Sequence, residues 1–227
     1  MAPSAGNAGR FADLGKRVIT AALMAVLAVA AIAIGFPYVD LLVALAAVLG
    51  LFEWARLCGA WREPGWMALG IVYLLTAAIA FLWLRHDADF GRITALWLVA
   101  VVAATDTAAY FGGRLIGGPK LVPWISPNKT FAGLISAMIA AAAAGAGIAL
   151  YSGADPWVVA RWSGILAVVA QAGDIFESGL KRYFGAKDSG QLLPGHGGML
   201  DRIDGLLAAT LVVAAIRLTG ESGAPWR

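Results

Sequence analysis

The sequence predicts an all-α protein, a polytopic transmembrane bundle of about seven spans with two long polar connections on one side. Three observations predict it. Sixty per cent of the 227 residues are apolar and 14% are charged, against about 45–50% and about 25% in a soluble domain. The apolar residues fall in runs close to the ~20 needed to cross a bilayer's hydrocarbon core. Basic residues are divided unequally between alternate connections, as the positive-inside rule requires of a membrane protein.

The first run, 18–36, follows Arg10, Lys16 and Arg17, as the core of a signal peptide would. It is longer than such a core and leads straight into more apolar sequence, so it reads as a retained first helix. Gly35 and Pro37 end it. The second run, 41–57, is short and contains Glu53, which Arg56 is spaced to pair with as a structural ion pair. Pro64 and Gly65 precede the third, 66–84. The fourth, 93–111, carries Asp106 in its interior, and Gly117, Gly118 and Pro119 follow it. The fifth, 131–151, includes the small-residue run Ala140–Ala144, suited to close helix contact in lipid. The sixth is 157–175 and the last 203–218. Residues 1–91 are the N-terminal helices and 92–227 the part carrying chemistry, within one membrane domain. No internal repeat is visible. The single cysteine, Cys58, excludes an intrachain disulfide and gives no metal cluster.

With the N-terminus in the cytoplasm, twelve basic residues fall on that side, from Arg10 to Arg202, and four on the other, Arg85, Arg92, Arg217 and Arg227, with Arg161 just inside a span. The long connections 112–130 and 178–202 then both face the cytoplasm, where nucleoside triphosphates are found.

Asp106 is the first charge out of place. A carboxylate within a span costs about 2.5–3.5 kcal/mol on insertion scales and normally faces a cavity or a partner. Tyr110 lies one turn on, on the same face. A hydrogen bond between helices would also account for Asp106. At the end of the sixth run, Asp174, Glu177, Ser178 and Lys181 share one helix side at i, i+3, i+4 and i+7. A solvated helix end would carry mixed charge too, but Asp174 follows an apolar run. Asp201 and Asp204 form a second pair at the start of the last span, where a single acid would need no explanation beyond capping.

Between these groups the chain reads SGLKRYFGAKDSGQLLPGHGGMLDRID. Lys181, Arg182 and Lys187 supply cations, and Asp188 follows. Pro194, Gly195, His196, Gly197 and Gly198 form a glycine-rich turn, closed by Asp201, Arg202 and Asp204. Glycines let backbone amides approach an anion, lysine and arginine neutralise phosphate, and carboxylates hold Mg²⁺ against substrate phosphates. All three together suit phosphoryl or nucleotidyl transfer. His196 is placed for acid–base work or for a purely structural turn.

Residues 178–204 resemble the signature of the phosphatidate cytidylyltransferase family: Ser-x-x-Lys-Arg, Lys-Asp, Pro-Gly-His-Gly-Gly and Asp-Arg-x-Asp, each position matched. Asp106 to Arg114 and the Ser126-Pro-Asn-Lys129-Thr130 loop resemble two further blocks of that family. Phe131 stands where the family usually has tryptophan, and Ala132 where it usually has glutamate. The chain has fewer spans than many such proteins, the difference falling on the N-terminal side.

The resemblance implies transfer of CMP from CTP to phosphatidate, giving CDP-diacylglycerol and pyrophosphate. It implies Mg²⁺ on Asp174, Asp201 and Asp204, with a second cation left open, and a catalytic group completed by Lys181, Arg182 and His196. Substrate contacts fall to Ser126, Lys129, Thr130, Ser178, Lys187, Asp188, Gly197, Gly198 and Arg202, with Asp106 and Tyr110 facing the same cavity. A homodimer in a bacterial-type inner membrane is implied, its active site toward the cytoplasm, with no nucleic-acid partner. Another CTP-dependent lipid enzyme, such as a polyprenol kinase or an archaeal-type CDP-lipid synthase, is the nearest alternative. A transporter using Asp106 and Asp174 as ion ligands is the alternative of a different class.

Overall fold

The computed structural model describes residues 20, 22–59, 62–190, 192 and 197–219. Helices α1 (Ala22–Ile34), α2 (Tyr38–Leu57), α3 (Pro64–Arg85) and α4 (Gly91–Leu115) come first. A short antiparallel hairpin follows, β1 (Lys120–Val122) and β2 (Ser126–Thr130), with Lys120 opposite Thr130 and Val122 opposite Ser126. Helices α5 (Phe131–Ser152), α6 (Pro156–Tyr183) and α7 (Leu200–Leu218) complete the bundle.

Five of these helices, α2 to α6, are long and apolar enough to cross a membrane. The expected first span is described only from residue 20, and α1 is a shorter apolar helix. Helix α7 has 19 residues but carries Asp201, Arg202 and Asp204 in its opening turns, and is not among the five. The all-α membrane bundle therefore stands, with five clear candidates for crossing.

Local chemistry sets the helix ends. Pro64 and Pro156 occupy first-turn positions, where a missing N–H costs nothing. Asp155 caps α6 by accepting from Trp157 N at 2.8 Å. Thr130 caps α5 by accepting from Gly133 N at 3.0 Å. Gly153, at φ 77°, ends α5 in the left-handed conformation that glycine adopts without strain.

Both polar connections contain regular structure. The stretch 112–130, expected as a polar connection, is the end of α4 followed by the hairpin. Helix α6 runs past its apolar stretch to Tyr183, so Asp174, Glu177, Ser178 and Lys181 lie on one continuous helix, as their spacing predicts.

Packing follows the chain: α4 lies along α5, α5 along α6 and α6 along α7, while α3 touches α2, α4 and α7. Trp97, Leu98, Val101, Leu166, Ala167, Ala170, Ala209 and Val213 form the main core. Apolar side chains such as Leu41, Val48, Ile79, Ile139 and Leu150 point outward, as suits acyl chains. Since lipid removes the usual hydrophobic drive, close backbone approach and polar contacts hold the helices together. At the α5–α6 crossing, a Cβ on Gly145 would lie 1.9 Å from Ser163 Oγ. That hydroxyl accepts from Trp97 Nε1 at 2.8 Å and donates to Val159 O at 2.7 Å. Gly145→Leu is therefore expected to lower the melting temperature in detergent. Gly147→Leu, where a Cβ meets nothing within 4 Å, should leave it unchanged.

A similar approach positions the site. At Gly133 a Cβ would lie 2.8 Å from Ala109 O, and at Gly112 one would lie 2.1 Å from Ser136 Oγ. The start of α5, and the hairpin joined to it, are thereby drawn against the end of α4. At the opposite end of the bundle, Arg85 donates to Ile32 O at 2.8 Å and Arg217 pairs with Asp87.

Candidate active site

The ends of α4, α6 and α7, the hairpin and the start of α5 enclose a cavity of about 670 Å³. Helix α4 contributes Asp106, Tyr110 and Arg114. The hairpin contributes Lys120, Ser126, Asn128, Lys129 and Thr130. Helix α6 adds Gln171, Asp174, Glu177 and Lys181, and α7 adds Asp201, Arg202 and Asp204. Five carboxylates and five cationic side chains thus share one space, contributed by segments almost a hundred residues apart in the chain.

Two lysines organise the carboxylates. Lys129 Nζ lies 2.5 Å from Asp174 Oδ2 and donates to Gln171 Oε1 at 2.8 Å. The Ser178 hydroxyl donates to Asp174 Oδ1 at 3.3 Å. Lys181 Nζ lies 2.5 Å from Asp201 Oδ1 and 3.2 Å from Glu177 Oε2. The second oxygen of Asp201 accepts from Gly198 N at 3.0 Å, Ser189 Oγ at 2.9 Å and Ser189 N at 3.3 Å. Asp204 adjoins Glu177 and faces Asp174. Asp106 faces Asp174, Lys129 and Arg202 from the other wall. Glu177 Oε1 is buried with no hydrogen-bond donor on it.

The expected residues Asp106, Tyr110, Ser126, Lys129, Thr130, Asp174, Lys181, Asp201, Arg202 and Asp204 all line this cavity. Thr130 does so with a hydroxyl already engaged in capping α5. Ser178 touches the cavity only through Asp174. Arg182 turns the other way, toward Ile125 O and Ala186 O at 3.4 Å each. Lys187 and Asp188 are exposed on the α6–α7 connection. Gly197 has φ 82°, and Gly198 gives its N–H to Asp201. His196 lies outside the described residues. Gln171 and Asn128 are cavity residues that the sequence did not single out. Gln171 could have been found, as an amide inside an apolar span, one turn before Asp174.

Whether the site suits Mg²⁺ can be judged from its donors. Among the described residues, no three Asp, Glu, His or Cys side chains stand close enough to hold a metal ion unaided. Mg²⁺, however, commonly takes one or two carboxylates and completes its shell with substrate phosphates and water. Adjoining carboxylates such as Glu177 and Asp204, with the buried Glu177 Oε1 carrying no donor, offer oxygen atoms that a proton or a cation can occupy. The lysines on Asp174 and Asp201 mark where the carboxylates accept positive charge. The donor set fits.

These features define a polytopic membrane protein with a charged cavity at one end of its helical bundle. The chain belongs to the cytidylyltransferase family, whose model matches residues 60–219. A phosphatidate cytidylyltransferase of Brucella suis biovar 1 is 45% identical over 197 residues, covering 86% of this chain and 69% of the relative. One from Helicobacter pylori is 42% identical over 129 residues, covering 56% of this chain and 48% of that protein. One from Staphylococcus saprophyticus is 38% identical over 147 residues, covering 64% and 55%.

Proposed function

We propose that this chain transfers CMP from CTP to phosphatidate, forming CDP-diacylglycerol and pyrophosphate for phospholipid synthesis. The observation that carries the reading is the cavity itself, where lysine-paired carboxylates converge on the polar ends of membrane helices. The family membership and the names of its relatives point the same way.

A phosphatidate phosphate oxygen attacks the α-phosphorus of CTP. The bond from that phosphorus to the bridging oxygen breaks, and pyrophosphate leaves with the bonding pair. The nucleophile is already anionic at neutral pH, so the chain need not supply a strong base. Its task is to place two polyanions together and to offset their repulsion. Lys129, Lys181 and Arg202 serve this as cationic partners of phosphate oxygens, with Ser126 and Asn128 as hydrogen-bond partners. Asp106 and Tyr110 form the facing wall. Asp174, Asp201 and Asp204 would hold Mg²⁺, which when bound screens the phosphates and favours departure of pyrophosphate. A cavity with equal numbers of acidic and basic side chains has no spare positive charge for a triphosphate, and a divalent cation supplies it.

We place α1 and α7 as spans alongside the five clear ones, which makes about seven. The site and the N-terminus face the cytoplasm of a bacterial-type inner membrane, and the protein acts as a homodimer. Phosphatidate then keeps its tails in the bilayer while its headgroup meets CTP at the surface.

The test follows label from CTP in purified protein with phosphatidate and Mg²⁺ in detergent. Label at the α-phosphorus is expected in lipid, and label at the γ-phosphorus only in pyrophosphate. Transfer of γ-label to a lipid alcohol would instead identify a kinase, and no labelled lipid from any acceptor would return the transporter. Chelation should abolish product, and added Mg²⁺ restore it. Lys129→Ala is expected to raise the KM for CTP about tenfold with a smaller fall in kcat, since its role is mainly to hold substrate. An unchanged KM would remove Lys129 from phosphate binding.

A further inference from the structure

We infer that Glu53, on α2, is a positioning residue for the reaction, fixing the start of α7 and through it Asp201, Arg202 and Asp204. The inference rests on the cavity reading above. Glu53 is 1% exposed within an apolar helix. A carboxylate so buried is tolerated only when donors surround it. Arg56, the partner its spacing suggests, is exposed and lies over the Phe52 ring instead. The donors come from the far end of the chain. Met199 N donates to Oε1 and Leu200 N to Oε2, each at 2.9 Å, and Ser189 Oγ lies 3.3 Å from Oε2.

Met199 N and Leu200 N open α7, where backbone donors lack partners within the helix. No side chain of α7's own capping residue, Met199, meets them. Glu53 therefore does from another helix what a local cap usually does, and its charge suits a helix N-terminus. The surrounding chain is shaped to it. A Cβ on Gly190 would lie 2.5 Å from Oε1, and one on Gly198 would lie 2.7 Å from Oε2. Ser189 Oγ links it to Asp201, whose Oδ2 is 2.9 Å away. Asp201 directly follows Leu200, so a carboxylate that pins the Leu200 amide also sets the carboxylates of the site. Glu53 itself lines no part of the cavity and precedes the family match at 60–219. Its effect passes through α7.

The test compares Glu53→Gln and Glu53→Asp with the parent. Glutamine keeps the size but turns an NH₂ group toward one of the two backbone donors. Expected is a fall in kcat of about ten- to a hundredfold per mole of folded enzyme, with the KM for CTP within about threefold and a melting temperature lowered but still above the assay temperature. Glu53→Asp keeps the charge but is one methylene short of the Met199 and Leu200 amides, and should lose less. A parental kcat in Glu53→Gln, or a loss that merely tracks folded protein, would overturn the inference. Should Glu53→Gln not fold, Glu53→Asp decides: a lower kcat per mole of folded enzyme supports the inference, and an unchanged kcat overturns it. Hydrogen exchange at the Met199 and Leu200 amides separates this from the cavity reading. Faster exchange in Glu53→Gln is expected even if the parent makes no CDP-lipid, and unchanged exchange counts against Glu53 alone.

Discussion

Asp174→Asn is expected to lower CDP-diacylglycerol formation on the order of a thousandfold, at unchanged levels of folded protein. Asparagine keeps the shape of the side chain and can still accept from Ser178, so the helix loses little. What it loses is the charge that holds Lys129 Nζ at 2.5 Å and that faces both Asp106 and Asp204. Without it, Lys129 keeps only Gln171, and the cavity keeps one ligand fewer for a divalent cation. The measurement is product formation per mole of folded, detergent-purified enzyme across a range of Mg²⁺ concentrations. Turnover within a few-fold of the parent would remove Asp174 from the reaction chemistry.

Lys181→Met carries the second large effect, on stability as well as on rate. The Lys181 ammonium sits between Glu177 and Asp201, with only 11% of its side chain exposed and 5% of Glu177's. Removing one partner of a buried ionic group leaves uncompensated charge, at a cost of about 3–5 kcal/mol. Thermal unfolding in detergent should show this as a marked drop in melting temperature. Adding Glu177→Gln removes one of the two stranded carboxylates and should recover much of that loss. Activity should stay low in the double variant, because Asp201 still lacks the cation that fixes its Oδ1. A melting temperature unchanged in Lys181→Met would show that the triad does not hold α6 to α7.

Much of this site could be read from the order of residues alone, because its chemistry is expensive where it sits. Asp106 interrupts an apolar run, and Asp174, Glu177 and Lys181 recur at helical spacing, so cost and periodicity mark them together. Asp201, Arg202 and Asp204 are marked by the glycines before them. What could not be read depended on contacts across the fold. Glu53 has a basic residue three positions on, so a local pair accounts for it, while its donors lie 146 and 147 residues away. Arg182 adjoins Lys181 in sequence, but the turn of the helix carries it to the opposite side, toward Ile125. The hairpin escaped notice because β1 has only three residues and β2 includes a proline, too little for an alternating pattern to show. The continuation of α6 beyond its apolar run is legible for the opposite reason, since Asp174, Glu177, Ser178 and Lys181 keep helical spacing up to Tyr183.

The central claim is that CTP and the lipid phosphate meet in the cavity between α4, the hairpin, α6 and α7. A structure of the protein with CTP and Mg²⁺ in lipid nanodiscs tests it most directly. The triphosphate is expected beside Lys129 and Arg202, with the cation on carboxylates from both α6 and α7. Nucleotide bound at any other surface, or a cavity filled by a bare ion pathway with CTP absent at saturating concentration, would contradict the account.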